Sequence, residues 1–314
     1  MDNFIFSVNT ALPLLLMILA GMLLKRVGLL DTGMVSALDS FSFRIAMPLL
    51  LFYDISTMDF YSEFSLSFML FCFIVSVVSF LVMWKVSLLV FPDRRAAGSF
   101  AQGSVRGSVA MLGVMIVTNI YGSAGIAALM VAASVPVYNV MSVLILTFCG
   151  SGRENSAGQL KAALKGILTN PFILGIAAGL PFALLRINLP TALASAAKSL
   201  GSTATPLALV VIGASFSYAE ATARLKPALA ATAIKLLVLP AVGLPLAVML
   251  GFREAALTSI ILMLGSATAP ASFIMAKNMG CDAPLSANIV MLTDVFYSVT
   301  LTFWLFLLKT LALI

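Results

Sequence analysis

Apolar residues run along the chain in long blocks, which short polar segments separate. A block of about 20 apolar residues can cross the ~30 Å hydrocarbon core of a bilayer as an α-helix. By this criterion the pattern predicts ten membrane spans, at 4–24, 33–54, 66–90, 97–119, 124–149, 163–185, 191–216, 228–250, 255–276 and 284–308. The predicted fold class is therefore an all-α integral membrane protein.

The two halves of the chain contain a similar segment. Span 2 includes AMPLLLF (46–52), and span 7 includes ATPLALV (204–210), which lies 158 residues later. Each half holds five spans, an odd number, so the second copy must enter the membrane with the opposite orientation. Inverted repeats are typical of secondary transporters. The predicted parts are a first five-helix repeat (1–150), a cytoplasmic linker (151–162) and a second, inverted five-helix repeat (163–314).

The composition agrees with a membrane protein and argues against several other classes. Of 314 residues, 61% are apolar and 10% are charged, whereas soluble domains carry about a quarter charged residues. The basic residues that give the net charge of +6 lie mostly in short loops and form no basic run with interleaved aromatic residues. We therefore expect lipid around the chain and no nucleic-acid partner. The chain has no histidine and no CxxC motif. We therefore predict no catalytic residue, no metal site and no cofactor.

Positive charge is distributed unevenly between alternate loops. One set of loops holds many basic residues, namely Lys25, Arg26, Arg94, Arg95, Arg153, Lys161, Lys165, Arg224, Lys226 and Lys277. The other set holds only Arg186, Arg253 and Lys309. Cytoplasmic loops are enriched in Lys and Arg, so the first set is predicted to be cytoplasmic and both termini outside. The first apolar block precedes its positive charges and is interpreted as a retained span, not as a signal peptide.

Two spans contain features that oppose a continuous helix. Span 9 includes GSATAPASFIMAK (265–277), where Pro270 has no N–H to donate and stands among small or hydroxylated residues. Span 4 includes QGSVRGSVAMLG (102–113), where glycines loosen the segment around Arg106. Broken backbone survives in a membrane only when it is buried in protein or lines a wet cavity. Spans 4 and 9 are therefore predicted to be broken helices in inverted positions.

Two broken helices would present free helix N-termini near the middle of the membrane. The N–H groups and positive dipole ends there can bind a carboxylate. Ser108 and Ser272 are placed to cap these ends or to donate to a substrate oxygen. Arg106 has two interpretations, which are a forked donor to a carboxylate and an internal ion pair with Asp294 or Asp39.

Five motifs occur in order along the chain: FRIAMPLLLF (43–52), QGSVRGSVAMLG (102–113), VPVYNVMSV (135–143), TPLALVVIGA (205–214) and APASFIMAK (269–277). Together they resemble the auxin efflux carrier family, which includes plant auxin carriers and bacterial permeases for malate and malonate. The resemblance implies an elevator-type carrier, usually a homodimer, in a bacterial inner membrane. Spans 1, 2, 6 and 7 would form the scaffold, spans 3–5 and 8–10 would form the moving transport domain, and spans 4 and 9 would cross at the substrate site.

The resemblance also implies a set of substrate-binding residues: Arg106, Gly107, Ser108, Tyr138, Asn139, Pro270, Ala271 and Ser272. Asn139 offers a donor and an acceptor to a polar substrate, and an interhelical hydrogen bond is its alternative role. Asp294 and Lys235 are the coupling-ion candidates, unless they neutralise each other. Asp294 is favoured as a proton carrier because burial disfavours the charged form of a carboxyl group. Ser108 and Asp294 depart from the family pattern, in which asparagine and an uncharged residue are common.

The predicted function is secondary active transport of small organic anions, with dicarboxylates such as malate or malonate as the expected substrates. A sodium-coupled symporter of the bile-acid type is the alternative, although it needs two clustered sodium sites and the spans contain few acids. A membrane-embedded enzyme would need paired aspartates, an Asp-rich motif or a Ser/His pair, and the sequence contains none of them. An ion channel would need a pore-loop filter, which is not visible either.

Overall fold

The computed structural model describes residues 16–57, 65–109, 125–150, 168–216 and 218–314, together with the single residues 13, 117, 120 and 121. Its helices are α1 (16–26), α2 (Thr32–Ser56), α3 (Leu66–Val90), α4 (Arg94–Val105), α5 (Gly125–Cys149), α6 (Pro171–Leu184), α7 (Thr191–Ala214), α8 (Leu225–Met249), α9 (Glu254–Gly265), α10 (Ala271–Asn278) and α11 (Ala283–Thr310). A short helix, Tyr218–Ala223, precedes α8. The described part of the chain is therefore all-helical, as predicted.

The polar residues of the short loops begin the helices. Asp31, Asp93, Asn170 and Asp282 each accept a hydrogen bond from a backbone N–H in the first turn of the helix that follows, at 2.6–2.9 Å. Such N-caps satisfy N–H groups that have no partner inside the helix. The breaks in the apolar pattern thus coincide with helix starts for a local chemical reason.

The described residues contain six helices that are long and apolar enough to cross a membrane, namely α2, α3, α5, α7, α8 and α11. Helices α6 and α9 are apolar but shorter. Spans 4 and 9 do not form single long helices, because both are interrupted. The second half of span 4, the first part of spans 1 and 6, and the linker 151–162 fall mostly outside the described residues. Ten spans and an inverted repeat therefore stay predictions.

The buried apolar side chains form two groups. The first group joins α3, α4, α5, α8, α9 and α11, and includes Phe80, Leu129 and Ile261. The second group joins α1, α2, α6, α7 and α10, and it also includes residues of α5 and α11, such as Val143 and Val290. Many large apolar side chains on the outer helix faces are exposed, as expected where lipid covers the protein.

Polar contacts connect several of the short loops at one end of the molecule. Arg224 forms an ion pair with Asp282 at 2.7 Å, and the Asp282 N–H donates to the Arg95 carbonyl at 3.3 Å. Lys277 lies 3.4 Å from a carboxylate oxygen of Asp39. The three basic residues belong to the loop set that the charge pattern assigns to the cytoplasm. The structure thus groups these loops together, and the side of the membrane stays a prediction.

Candidate functional site

Both predicted broken spans leave the helical conformation, and the two breaks cross. Helix α4 ends at Val105, and Arg106 is extended, with φ −67° and ψ 109°. Helix α9 ends at Gly265, Ser266 is extended, and helical structure resumes with α10 at Ala271. An antiparallel bridge pairs Gly107 with Thr268. The helix breaks that the sequence predicted at these two places are therefore present.

Backbone hydrogen bonds hold the crossing together. The Ser108 N–H donates to the Ala267 carbonyl at 2.9 Å, and the Ala269 N–H donates to the Arg106 carbonyl at 3.4 Å. A Cβ atom at Gly107 would collide with the Ser266 hydroxyl. A side chain at position 107 would force the Ser266 hydroxyl to move, so the close approach of the two segments favours glycine there.

Thr268 anchors the crossing to its neighbours. Its N–H donates to the Thr293 hydroxyl at 3.0 Å, and its own hydroxyl donates to the Gly103 carbonyl at 2.8 Å. Pro270 is predicted to cause the break, and this stays a prediction. Helix α9 ends at Gly265, directly before Ser266, whose carbonyl would find no N–H at Pro270 in a continuous helix. Residues 267–269 bond to the segment around Arg106 and to α11, and Pro270 stands at the N-cap of α10.

A cavity of about 320 Å³ lies beside the crossing. Most of the predicted site residues line it, namely Arg106, Gly107, Ser108, Tyr138, Asn139, Pro270, Ala271 and Asp294. Ser272 and Lys235 are the two predicted residues that do not. Met47, Phe172 and Thr205 complete the wall from α2, α6 and α7. The cavity therefore lies between the two groups of buried apolar side chains.

Arg106 is the cationic side chain of this cavity, and only 5% of its surface is exposed. Its Nη2 donates to the Asn139 Oδ1 at 2.7 Å, and its Nη1 lies 2.7 Å from the Met275 sulfur. Among the described residues, no carboxylate comes within 4.0 Å of the guanidinium. The internal ion pair with Asp294 or Asp39 is therefore not formed, and Asp39 pairs with Lys277 instead.

The Asn139 amide bridges α5 and the broken α4. Its Nδ2 donates to the Val135 carbonyl at 2.9 Å, which turns Oδ1 towards Arg106. The interhelical hydrogen bond that the sequence offered as an alternative is therefore present. It does not remove Asn139 from the cavity wall, and it fixes the orientation of the guanidinium there.

The start of α10 faces the cavity without a side-chain cap. The N–H groups of Ser272 and Phe273 donate to the carbonyls of Ala269 and Pro270. The Ala271 N–H has no hydrogen bond to any residue that the structure describes. The Ser272 hydroxyl also has no partner in the described chain. Of its two predicted roles, capping this end is therefore not observed, and donation to a substrate oxygen stays a prediction.

Two carboxyl groups line the cavity together with Arg106. Asp294, on α11, is buried, and its Oδ2 has no hydrogen-bond partner in the described part of the chain. Asp54, near the end of α2, was not among the predicted site residues. The spacing of Met47, Leu50, Leu51 and Asp54 is that of one helix face, and this pattern was the signal that could have identified Asp54.

The remaining predicted residues have structural partners. Tyr138 donates to the Met263 carbonyl at 3.1 Å, and Lys235 donates to the carbonyls of Met263 and Leu264 at 3.3 and 2.8 Å. Among the described residues, Lys235 forms no ion pair with Asp294, so the two do not neutralise each other. Thr205, which sequence reasoning missed, lies 158 positions after Met47, and both line the cavity.

Comparison with known proteins agrees with this architecture. No curated protein sequence matches the chain. A family model described as membrane transport protein matches residues 6–305. This match covers both broken helices, the cavity between them and the six long apolar helices, except for the last turn of α11. The chain therefore belongs to the membrane transport protein family, the family of the auxin efflux carriers.

Proposed function

We propose that this membrane transporter is a secondary active carrier of small organic anions, with dicarboxylates such as malate or malonate as its substrates. We further propose that it works as a homodimer in a bacterial inner membrane, with both termini outside. The cavity at the crossing of the two broken helices is the substrate site of this proposal.

The charge of Arg106 is the observation that carries the proposal. A guanidinium buried at the depth of membrane helices is costly unless an anion pairs with it. Asn139 and Met275 supply a neutral oxygen and a weakly accepting sulfur, and neither balances a full positive charge. A substrate carboxylate would supply this charge and could accept two parallel hydrogen bonds from the guanidinium.

The start of α10 supports an anionic ligand independently of Arg106. The uncapped end places the Ala271 N–H, which has no partner among the described residues, at the cavity wall, where the positive end of the helix dipole favours negative charge. A molecule with two carboxylates would engage Arg106 with one group and the start of α10 with the other. A dicarboxylate is for this reason favoured over a monocarboxylate.

Asp54 and Asp294 favour coupling of this transport to protons. Two carboxylates that face the same cavity repel an anionic ligand, so binding is easier when at least one is protonated. Asp294 is the stronger candidate, because its buried Oδ2 has no hydrogen bond in the described chain. Substrate and proton would then bind together.

The two groups of buried side chains favour an elevator motion. Helices α3, α4, α8 and α9 belong to the first group, α1, α2, α6, α7 and α10 belong to the second, and α5 and α11 contribute to both. We assign α3–α5 and α8–α11 to the transport domain and α1, α2, α6 and α7 to the scaffold, so the contacts of α5, α10 and α11 with the second group are the surface along which the domains would slide. The cavity has walls from both domains, so this movement would carry the bound anion.

Ligand-dependent melting of the purified protein tests this proposal. A ligand that binds only the folded state raises the melting temperature with its concentration. Malonate and malate should raise it, whereas the neutral diamide of malonate, which has a similar shape, should not. Arg106→Gln should abolish the shift, and the exposed Arg44 on the outer face of α2 supplies the control variant Arg44→Gln. Equal shifts by malonate and its diamide would contradict an anion site.

A further inference from the structure

The amine of Lys235 lies at the carboxyl end of α9, where the first half of the broken helix stops. Its Nζ donates to the carbonyls of Leu264 and Met263 at 2.8 and 3.3 Å, and the side chain is fully buried. The last carbonyls of a helix have no partner inside the helix and carry the negative end of its dipole. Lys235 therefore supplies a positive charge where the broken helix needs one.

The surroundings of this amine contain oxygen atoms but no counter-charge. Among the described residues, no carboxylate comes within 4.0 Å of the Lys235 Nζ. The Ser266 hydroxyl is buried beside Gly107 and has no hydrogen-bond partner in the described chain. A Cβ atom at Gly107 would come within 3.1 Å of the Lys235 Nζ, so the amine lies directly against the crossing.

Backbone carbonyls at the carboxyl end of a half-helix are the ligands with which secondary transporters bind Na⁺. The Lys235 ammonium, a compact charge with three donors, occupies the carbonyls that such an ion would need. We propose that Lys235 is a built-in monovalent cation, which holds the broken helix at the crossing and makes an inorganic cation unnecessary. This inference deepens the proposed transport function and rests on it only for the link to anion binding.

The fold directs Lys235 to this position through a local irregularity of α8. Residues Ile234–Val238 form a π-helical stretch in which the Leu239 N–H bonds to the Ile234 carbonyl. Pro240 follows and has no N–H for the Leu236 carbonyl, which accepts instead from the Trp304 indole at 2.9 Å. Such π-helical stretches are frequent at functional sites. In this protein the π-helical stretch contains Lys235 itself.

The amine is linked to the anion cavity through shared partners. The Met263 carbonyl accepts from Lys235 and also from Tyr138, which lines the cavity. Gly107, which the amine approaches, lines it as well. Loss of the charge at position 235 should therefore loosen the crossing and weaken anion binding. Lys235 is a positioning residue in this assignment, and Asp294 stays the proton candidate.

Cation-dependent melting of purified variants tests the assignment without any organic anion. Lys235→Ala leaves room beside the Met263, Leu264 and Ser266 oxygens, whereas Lys235→Met fills it with an apolar chain. Lys235→Ala should melt at a lower temperature in choline chloride and regain much of the loss in NaCl or methylammonium chloride at equal ionic strength. Lys235→Met should regain nothing. Lys198→Ala removes an exposed lysine above the Tyr53 ring and should melt alike in all three salts.

The wild type provides a second measurement that does not depend on the folding of any variant. Its melting temperature, and its malonate affinity where it binds malonate, should be the same in NaCl and in choline chloride. A saturable effect of Na⁺ on the wild type would overturn the assignment, as would equal melting of Lys235→Ala in all salts. If the wild type binds no organic anion, the proposed function fails, while the cation response of Lys235→Ala still decides the role of Lys235. In choline, Lys235→Ala should bind malonate about ten-fold more weakly than the wild type, or worse.

Discussion

Gly107 and Thr268 face each other as an antiparallel pair at the point where the two broken helices cross. They exchange no hydrogen bond with each other, because the bonds lie on either side, from Ser108 to Ala267 and from Ala269 to Arg106. In such a pair the N–H and C=O groups point away from the partner strand. The Thr268 N–H is therefore available to donate a hydrogen bond to the Thr293 hydroxyl. The crossing is thus tied to α11, the helix that carries Asp294.

The crossing should depend more on Thr268 than on Pro270. Thr268→Val keeps the shape of the side chain but removes the hydrogen bond to the Gly103 carbonyl. It should lower the stability by about 1 kcal/mol and weaken malonate binding. Pro270→Ala should have a smaller effect, because residues 266–269 remain held by other contacts. Melting temperature and malonate affinity check both variants.

Thr300→Val is the matched control, since the Thr300 hydroxyl bonds only to carbonyls of its own helix. It should leave both quantities unchanged. Loss of binding in Pro270→Ala, with normal binding in Thr268→Val, would make the proline, and not Thr268, the residue that maintains the break.

Asn139 should act through Arg106. Asn139→Ala removes the acceptor that orients the guanidinium and should weaken malonate binding about ten-fold. Asn139→Asp is nearly isosteric, yet it places a carboxyl group 2.7 Å from the Arg106 Nη2. The new internal ion pair should compete with the substrate, so this variant should bind malonate worse than Asn139→Ala. Titration calorimetry measures the order, and the reverse order would separate Arg106 from the anion.

Asp294 should carry the proton that accompanies the anion. Asp294→Asn removes the titrating group and keeps its size. In proteoliposomes this variant should lose the stimulation of uptake by an inwardly directed proton gradient, while exchange of internal for external malonate continues. Unchanged stimulation by the gradient would remove Asp294 from the coupling mechanism and leave Asp54 as the carboxyl group to test.

The ion pair between Asp39 and Lys277 should affect transport and spare binding. Asp39 belongs to α2 and Lys277 to the last turn of α10, away from the cavity wall. Under the elevator proposal these two helices move relative to each other, so Asp39→Asn should change the exchange rate by up to a few-fold. Its malonate affinity should equal that of the wild type. The charge-swapped double variant Asp39→Lys, Lys277→Asp should restore the rate, and failure to restore it would exclude a direct role of the pair.

Much of this protein follows from local features of the sequence. Runs of apolar residues determine where helices form, and Asp31, Asp93, Asn170 and Asp282 begin them, because a cap acts on N–H groups two or three residues away. The breaks in spans 4 and 9 could be predicted for the same reason, since small and polar residues around Arg106 and Pro270 disfavour a continuous helix. Most of the predicted site residues line the cavity, although they make up fewer than half of the residues in its wall.

The tertiary structure alone decided the partners of the polar groups. Arg106 could have paired with Asp39 or Asp294, but Asp39 lies against Lys277 and Arg106 lies against Asn139. Lys235 was a coupling candidate because it is a charged residue within a predicted span, and only the approach of α8 to the end of α9 assigned its amine to the carbonyls of Met263 and Leu264. Such contacts join residues far apart in the chain. The spacing of residues determines which side chains share a helix face, whereas the packing of the helices determines what that face meets.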